Sequence, residues 1–86
     1  MAIIKTIVSE SGFIFKDQYC RIEEATVFEK TTMRYTLGIY VSKEAITEPP
    51  HRAEIFQADF DLFSELNLWQ QAYVDIKNRW TDAVDA

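Results

Sequence analysis

Cysteine is nearly missing from this 86-residue sequence: Cys20 stands alone, so no internal disulfide can form and one thiolate cannot by itself build a metal site. Glycine occurs only at Gly12 and Gly38, which leaves no glycine-rich phosphate loop and no nucleophile elbow. Proline is confined to Pro49 and Pro50, and His51 is the single histidine. Positive charge is also short. Nine Lys and Arg face fourteen Asp and Glu, for a net charge of −5, the wrong sign for binding a phosphate backbone through counterion release. The cations are scattered and nowhere form a dense run, so no nucleic-acid partner is expected. The N-terminal apolar stretch Ala2, Ile3, Ile4 is broken by Lys5 and Thr6, far short of a secretory h-region or a membrane span. No membrane partner is expected, and the chain reads as soluble and made in the cytoplasm.

What is present is apolar material. Hydrophobic residues make up 48% of the chain and aromatics 14%, enough for a globular core and too much for intrinsic disorder. The length fits one domain over residues 1–86. A domain of this size buries only about two-thirds of its unfolded surface, so with no disulfide to help, a partner or self-assembly is a natural supplement.

The hydrophobic period changes once along the chain. Residues 3–8 are β-branched and read as a strand ending at Ser9, Glu10, Ser11 and Gly12, where glycine accepts a positive φ. Over 18–28 the apolar residues shift from even positions (Cys20, Ile22) to odd ones (Ala25, Val27), so a bulge is expected at Glu23 and Glu24. Met33, Tyr35, Leu37, Ile39 and Val41 alternate with polar or small residues, the pattern of an antiparallel strand with one buried face. The short link 29–32 makes these two runs a hairpin. The Pro pair makes 43–51 a loop. A fourth strand follows to residue 60, with apolar residues on both faces suggesting burial on both. Asp61 or Ser64 is placed to cap a helix over about 64–80, with Leu66, Trp69, Ala72, Tyr73, Ile76 and Trp80 at helical spacing. The tail 81–86 is small and acidic and is expected to fray. The expected fold is α+β: a small antiparallel sheet of about four strands covered by one C-terminal amphipathic helix.

Candidates for chemistry are few. His51 follows two prolines in a loop and has no partner set in sequence, and Cys20 falls on the apolar face of a strand. Asp59 and Asp61 share a strand face, yet calcium needs six to eight oxygens and a sharp glycine turn that this stretch lacks. Glu23 and Glu24 are consecutive and would point apart in regular strand. No catalytic residue, cofactor or metal is therefore expected. The aromatics point elsewhere. Tyr35, Trp69 and Tyr73 belong to core faces, whereas Tyr40 lies with Arg34 on the polar face of the third strand, and Phe13 and Phe15 flank a turn. Phe13, Phe15, Arg34 and Tyr40 are the candidate protein-interface residues.

Several segments together carry a family likeness. Ile4, Lys5, Thr6, Ile7, the turn glycine Gly12, the run Tyr19, Cys20, Arg21, Ile22, the alternating strand from Tyr35, the helix 71–77, and the late Asp82, Ala83, Val84, Asp85 resemble small proteins encoded in the tail modules of bacteriophages. The segment around Trp80 departs from that group, which closes its helix with a smaller, loop-like end. The resemblance implies a few antiparallel strands under one helix, similar to the shoulder domain that joins a receptor-binding protein to a phage baseplate. It also implies a non-catalytic virion component in a tail tip, baseplate or related structure, with other phage structural proteins as partners and homo-oligomers possible. The first or fourth strand, if exposed, would offer an edge for pairing. The rival expectation is a monomeric acidic adaptor or inhibitor of a host protein, which would gather Glu10, Glu23, Glu24, Asp59 and Asp61 on one surface.

Overall fold

The computed structural model describes residues 2–86; residue 1, counted in the expected single domain, lies outside them. Five strands, β1 (Ile3–Val8), β2 (Ile14–Phe28), β3 (Thr32–Tyr40), β4 (Arg52–Asp59) and β5 (Val84–Asp85), form one antiparallel sheet in the order β4-β3-β2-β1-β5. One helix, α1 (Leu68–Arg79), packs on a face of the sheet. The architecture is α+β, as the change of period implies.

Local chemistry explains the turns. Gly12 adopts φ 87° and its N–H donates to the Ser9 carbonyl at 2.9 Å, closing the β1–β2 hairpin. The β2–β3 hairpin turns through Glu29 and Lys30, both at positive φ. In β2 the register against β3 slips between Ile22 and Glu24, the bulge that the switch of apolar parity predicts. A second irregularity between Lys5 and Ile7 falls opposite Asp17, itself at φ 52°, whose N–H donates to Thr6 Oγ1 at 3.4 Å.

The core lies between the sheet and α1. Met33, Tyr35, Leu37 and Ile39 of β3 project together onto it, joined by Ile3, Ile22, Ala72 and Ile76. The β-branched and aromatic residues at period two make one face of the sheet apolar, and that face is what α1 covers. The Tyr35 hydroxyl donates to Asp75, which also pairs with Arg79 at 2.7 Å across one helical turn. Burial first, then the hydrogen bond to the Asp75 carboxylate, raises the Tyr35 hydroxyl's pKa well above its usual value.

Three expectations are corrected. The helix is capped by Asn67, not by Asp61 or Ser64, because those two side chains bind their own loop: Asp61 Oδ1 accepts from the Phe63 N–H and Ser64 Oγ from the Leu66 N–H. Asn67 then forms a full capping box with Gln70. The C-terminal tail does not simply fray: Val84 and Asp85 pair with β1, Ala86 N–H donates to the Ala2 carbonyl at 3.0 Å, and Asp85 meets Lys77 at 2.8 Å. β4 is not buried on both faces. Glu54, Phe56 and Ala58 turn inward and are half-buried, while Ile55 remains 67% exposed. The 43–51 loop also holds a short 3-10 turn, Lys43–Thr47.

Candidate functional site

The end of the β1–β2 hairpin is apolar and open. Val8, Phe13 and Ile14 are each more than 60% exposed, and Phe15 lies beside the His51 ring with 5.8 Å between centroids. Ser9 fixes the apex: its hydroxyl accepts from the Phe13 N–H at 3.1 Å and meets the Ser11 hydroxyl at the same distance. The apex therefore presents its aromatic on a braced turn. Phe13 and Phe15, singled out from sequence, come together here.

Arg34 and Tyr40 do not join them. Arg34 lies over the Phe28 ring at 5.2 Å near the opposite end of the long β2. Tyr40 does share the outer sheet face with Arg34, but it is only 4% exposed and its hydroxyl donates to the Glu23 carboxylate. The bulge in β2 sets Glu23 over this face and folds it onto the strand, so Tyr40 is engaged internally and leaves the candidate surface. Val8 and Ile14 replace it. The signal for Ile14 was in the sequence: Phe13, Ile14 and Phe15 are three consecutive apolar residues, and a strand that sends alternate side chains to opposite faces cannot bury them all.

His51 Nε2 donates to the Gln18 amide oxygen at 2.8 Å, and Gln18, 5% exposed, passes a hydrogen bond to the Lys16 carbonyl. His51 shares a shallow depression with Glu48, but its ring nitrogen engages the amide. These contacts tie the loop before β4 to β2. Cys20 is fully buried; burial foremost, and then the Glu54 charge, pushes its thiol up to about 11, with Lys5 opposing. A thiol so placed is a poor nucleophile at neutral pH. Asp59 and Asp61 gather no third ligand, and no group of three or more His, Cys, Asp or Glu comes together among the described residues. Among those residues no helix is long and apolar enough to cross a membrane.

The sheet curls, bringing β1 and β4 to the two sides of one cleft lined by Lys5, Ile7, Val8, Arg52, Glu54 and Trp80. Trp80 wedges between them, edge-on to Phe56 of β4 and 5.5 Å beneath the Lys5 ammonium. The charges at the cleft are matched: Lys5 with Asp82 at 2.8 Å and Arg52 with Glu54 at 2.5 Å. Of the two strands considered for edge pairing, β4 is a true edge, while β1 is internal, flanked by β5 along Ile3 and Ile4. Part of the β4 edge is covered, because Arg79 donates to the Gln57 carbonyl at 2.8 Å.

The acidic residues are dispersed. Glu10 belongs to the β1–β2 turn, Glu23 and Glu24 to the middle of β2, and Asp59 to the end of β4 that pairs beside the β2–β3 turn. The full length of the 15-residue β2 separates the first from the last. A comparison of the chain with family models, with curated proteins and with solved structures finds no match in any of the three.

Proposed function

We propose that the chain is a non-catalytic assembly module that docks on a protein partner through the end of its β1–β2 hairpin. The observation that carries this reading is the open apolar apex of Val8, Phe13 and Ile14 on a turn held by Ser9. Exposed apolar side chains on a braced turn lose little conformational freedom on binding, which makes them effective anchors. The resemblance to small tail-module proteins of bacteriophages gives the setting: a virion component of a tail tip, baseplate or related attachment structure, bound to other phage structural proteins. The scattered acidic residues favour this over a monomeric adaptor, which would rely on a concentrated acidic face.

The test is incorporation into particles. Virions produced from the genome that encodes the chain are purified and analysed by mass spectrometry, with the wild type and with Phe13→Ser/Ile14→Ser. The wild-type chain is expected at stoichiometric level, and the variant is expected to be lost from particles while its circular dichroism is unchanged. Particles that lack the wild type, or that accept the variant equally, would overturn the proposal.

A further inference from the structure

β5 covers only part of β1. Its ladder reaches Ile3 and Ile4 and stops, whereas β1 runs on to Val8. Two hydrogen bonds fix which backbone groups of β1 face which neighbour. The Ala2 carbonyl accepts from the Ala86 N–H on the β5 side, and the Ser9 N–H donates to the Phe13 carbonyl on the β2 side. Backbone groups alternate in direction along an antiparallel strand, so the even-numbered residues of β1 face the β5 side and the odd-numbered ones face β2. The irregularity between Lys5 and Ile7 leaves this parity intact, because the extra residue belongs to β2: Thr6 alone spans the step that Lys16 and Asp17 span on the partner strand. Thr6 and Val8 therefore hold their N–H and C=O groups toward the side that β5 leaves open. Both residues are exposed, and among the described residues no strand pairs with them there.

Such an edge selects one kind of occupant, since only another extended backbone returns a donor and an acceptor at each step. The chain's own β5 shows that this side of β1 accepts a strand. The side chains narrow the choice further. On the outer face Val8 lies opposite Ile14, both more than 60% exposed, so a residue added beside Val8 would extend that cross-strand row into the hairpin end. On the other face the open stretch of β1 lines the cleft of about 500 Å³ that also holds Ile7 and Trp80. The charges of that cleft are already matched, Lys5 with Asp82 and Arg52 with Glu54, and it asks for no net charge from an occupant. The β4 edge is less suited, because Arg79 occupies the Gln57 carbonyl.

We propose that the docking partner contributes an extended apolar strand without net charge, which pairs with β1 at Thr6 and Val8 beyond the end of β5. This rests on the docking reading for its setting, and it names the partner's chemistry: one segment takes the open backbone of β1 and covers Val8 and Ile14 of the hairpin end.

The probe is a blocked, uncharged pentapeptide of alternating Thr and Val, titrated to ~2 mM into the isotope-labelled chain and followed by NMR. It is expected to bind with a dissociation constant of ~1 mM or below, with the largest shifts at the Thr6 and Val8 amides. The same peptide N-methylated at every residue has no donors and is expected not to bind. Val8→Pro, which removes an outward N–H and leaves the ladder to β2 intact, is expected to weaken binding about fivefold or more; Val8→Thr, which keeps that N–H, weakens it less than about twofold. Ala53→Pro removes an outward N–H from β4 instead and is expected to change nothing. Spectra of each variant check its fold, and if Val8→Pro does not fold, the N-methylated peptide decides. No shifts at Thr6 and Val8, equal binding of the N-methylated peptide, or a loss with Ala53→Pro as large as with Val8→Pro overturns the inference. Purified virions separate it from the docking reading. Particles that accept Val8→Pro but reject Phe13→Ser/Ile14→Ser overturn the added strand and spare docking, whereas particles that lack the wild type overturn docking and leave the peptide titration to decide the edge.

Discussion

The Glu23 carboxylate lies directly over Gly38: a Cβ at position 38 would stand 2.7 Å from Glu23 Oε1 and 2.9 Å from its Cγ. Gly38 is thus the opening in β3 that lets the bulged β2 fold its glutamate onto the sheet and accept the Tyr40 hydroxyl. Glycine in a strand interior ordinarily costs stability, so alanine here would help if the space were free. It is not free, because Cγ as well as the carboxylate must move. Gly38→Ala is expected to destabilise by about 1–3 kcal/mol. In a Glu23→Ala background the same change should be neutral or stabilising, since the obstruction is gone. Urea denaturation of the four proteins in this cycle gives the coupling; an equal effect in both backgrounds would remove Glu23 as the cause.

The β2–β3 turn predicts the opposite sign. Glu29 and Lys30 hold φ of 56° and 64°, the left-handed region that costs a non-glycine residue roughly 1–2 kcal/mol. Asn and Gly adopt that region at lower cost than Glu or Lys. Glu29→Asn/Lys30→Gly is expected to raise stability by about 1 kcal/mol, read as a higher denaturation midpoint at unchanged slope. A midpoint that fails to rise would mean that the wild-type side chains contribute something the backbone angles do not reveal.

These two sites mark the limit of what was legible in the sequence. Strong periodicity carried well: residues 3–8 form β1, the alternation from Met33 to Ile39 gives the buried face of β3, and the parity switch in β2 is a bulge. Period identifies which side chains share a face, but it does not say what covers the other face. Tyr40 looked exposed because the polar face of a strand normally is, and only the bulge brings Glu23 across to bury it. The helix start was misplaced for a similar reason, since Asp61 and Ser64 have good capping chemistry but spend it on their own loop. A single aromatic in a loop has no period, and the exposure of Phe63 follows from the Gln71 clamp, a contact spanning ten residues to Asp61. At the hairpin end, Phe13 and Phe15 were readable from the turn, and Ile14 from the triplet they form with it.

Alkaline pH should destabilise the fold before it changes anything else. Burial raises the Cys20 thiol from 9.0 to about 11, and burial with the Asp75 bond raises the Tyr35 hydroxyl. A folded-state pKa above the unfolded value means stability that is complete below the unfolded pKa and lost as pH rises through the folded one. Stability is therefore expected to be level from neutrality to about pH 9 and to fall between pH 9 and 11. Cys20→Ala should make that fall shallower, leaving the contributions of Tyr35 and of Tyr40 and Tyr73, whose hydroxyls burial also raises. Denaturation midpoints across this window decide it, and an identical slope in the variant would assign the whole effect elsewhere.

The C-terminal residues supply the last prediction, because β5 closes an edge that would otherwise be open. Val84 and Asp85 cover the outer side of β1 at Ile4 and Ile3, Ala86 reaches the Ala2 carbonyl, and Lys77 holds Asp85 from the helix. Two strand residues are a weak element by themselves, and the exposed ion pair contributes at most about 1 kcal/mol. Their effect comes from position. β1 pairs on its other side with β2, and without β5 its outer backbone groups at Ile4 would face water as a template for another strand. A chain ending at Ala83 is expected to remain folded, with a modestly lower melting temperature and with faster amide exchange at Ile4 than at β3 residues such as Leu37. Hydrogen exchange checks this: unchanged protection at Ile4 would show that β5 guards nothing.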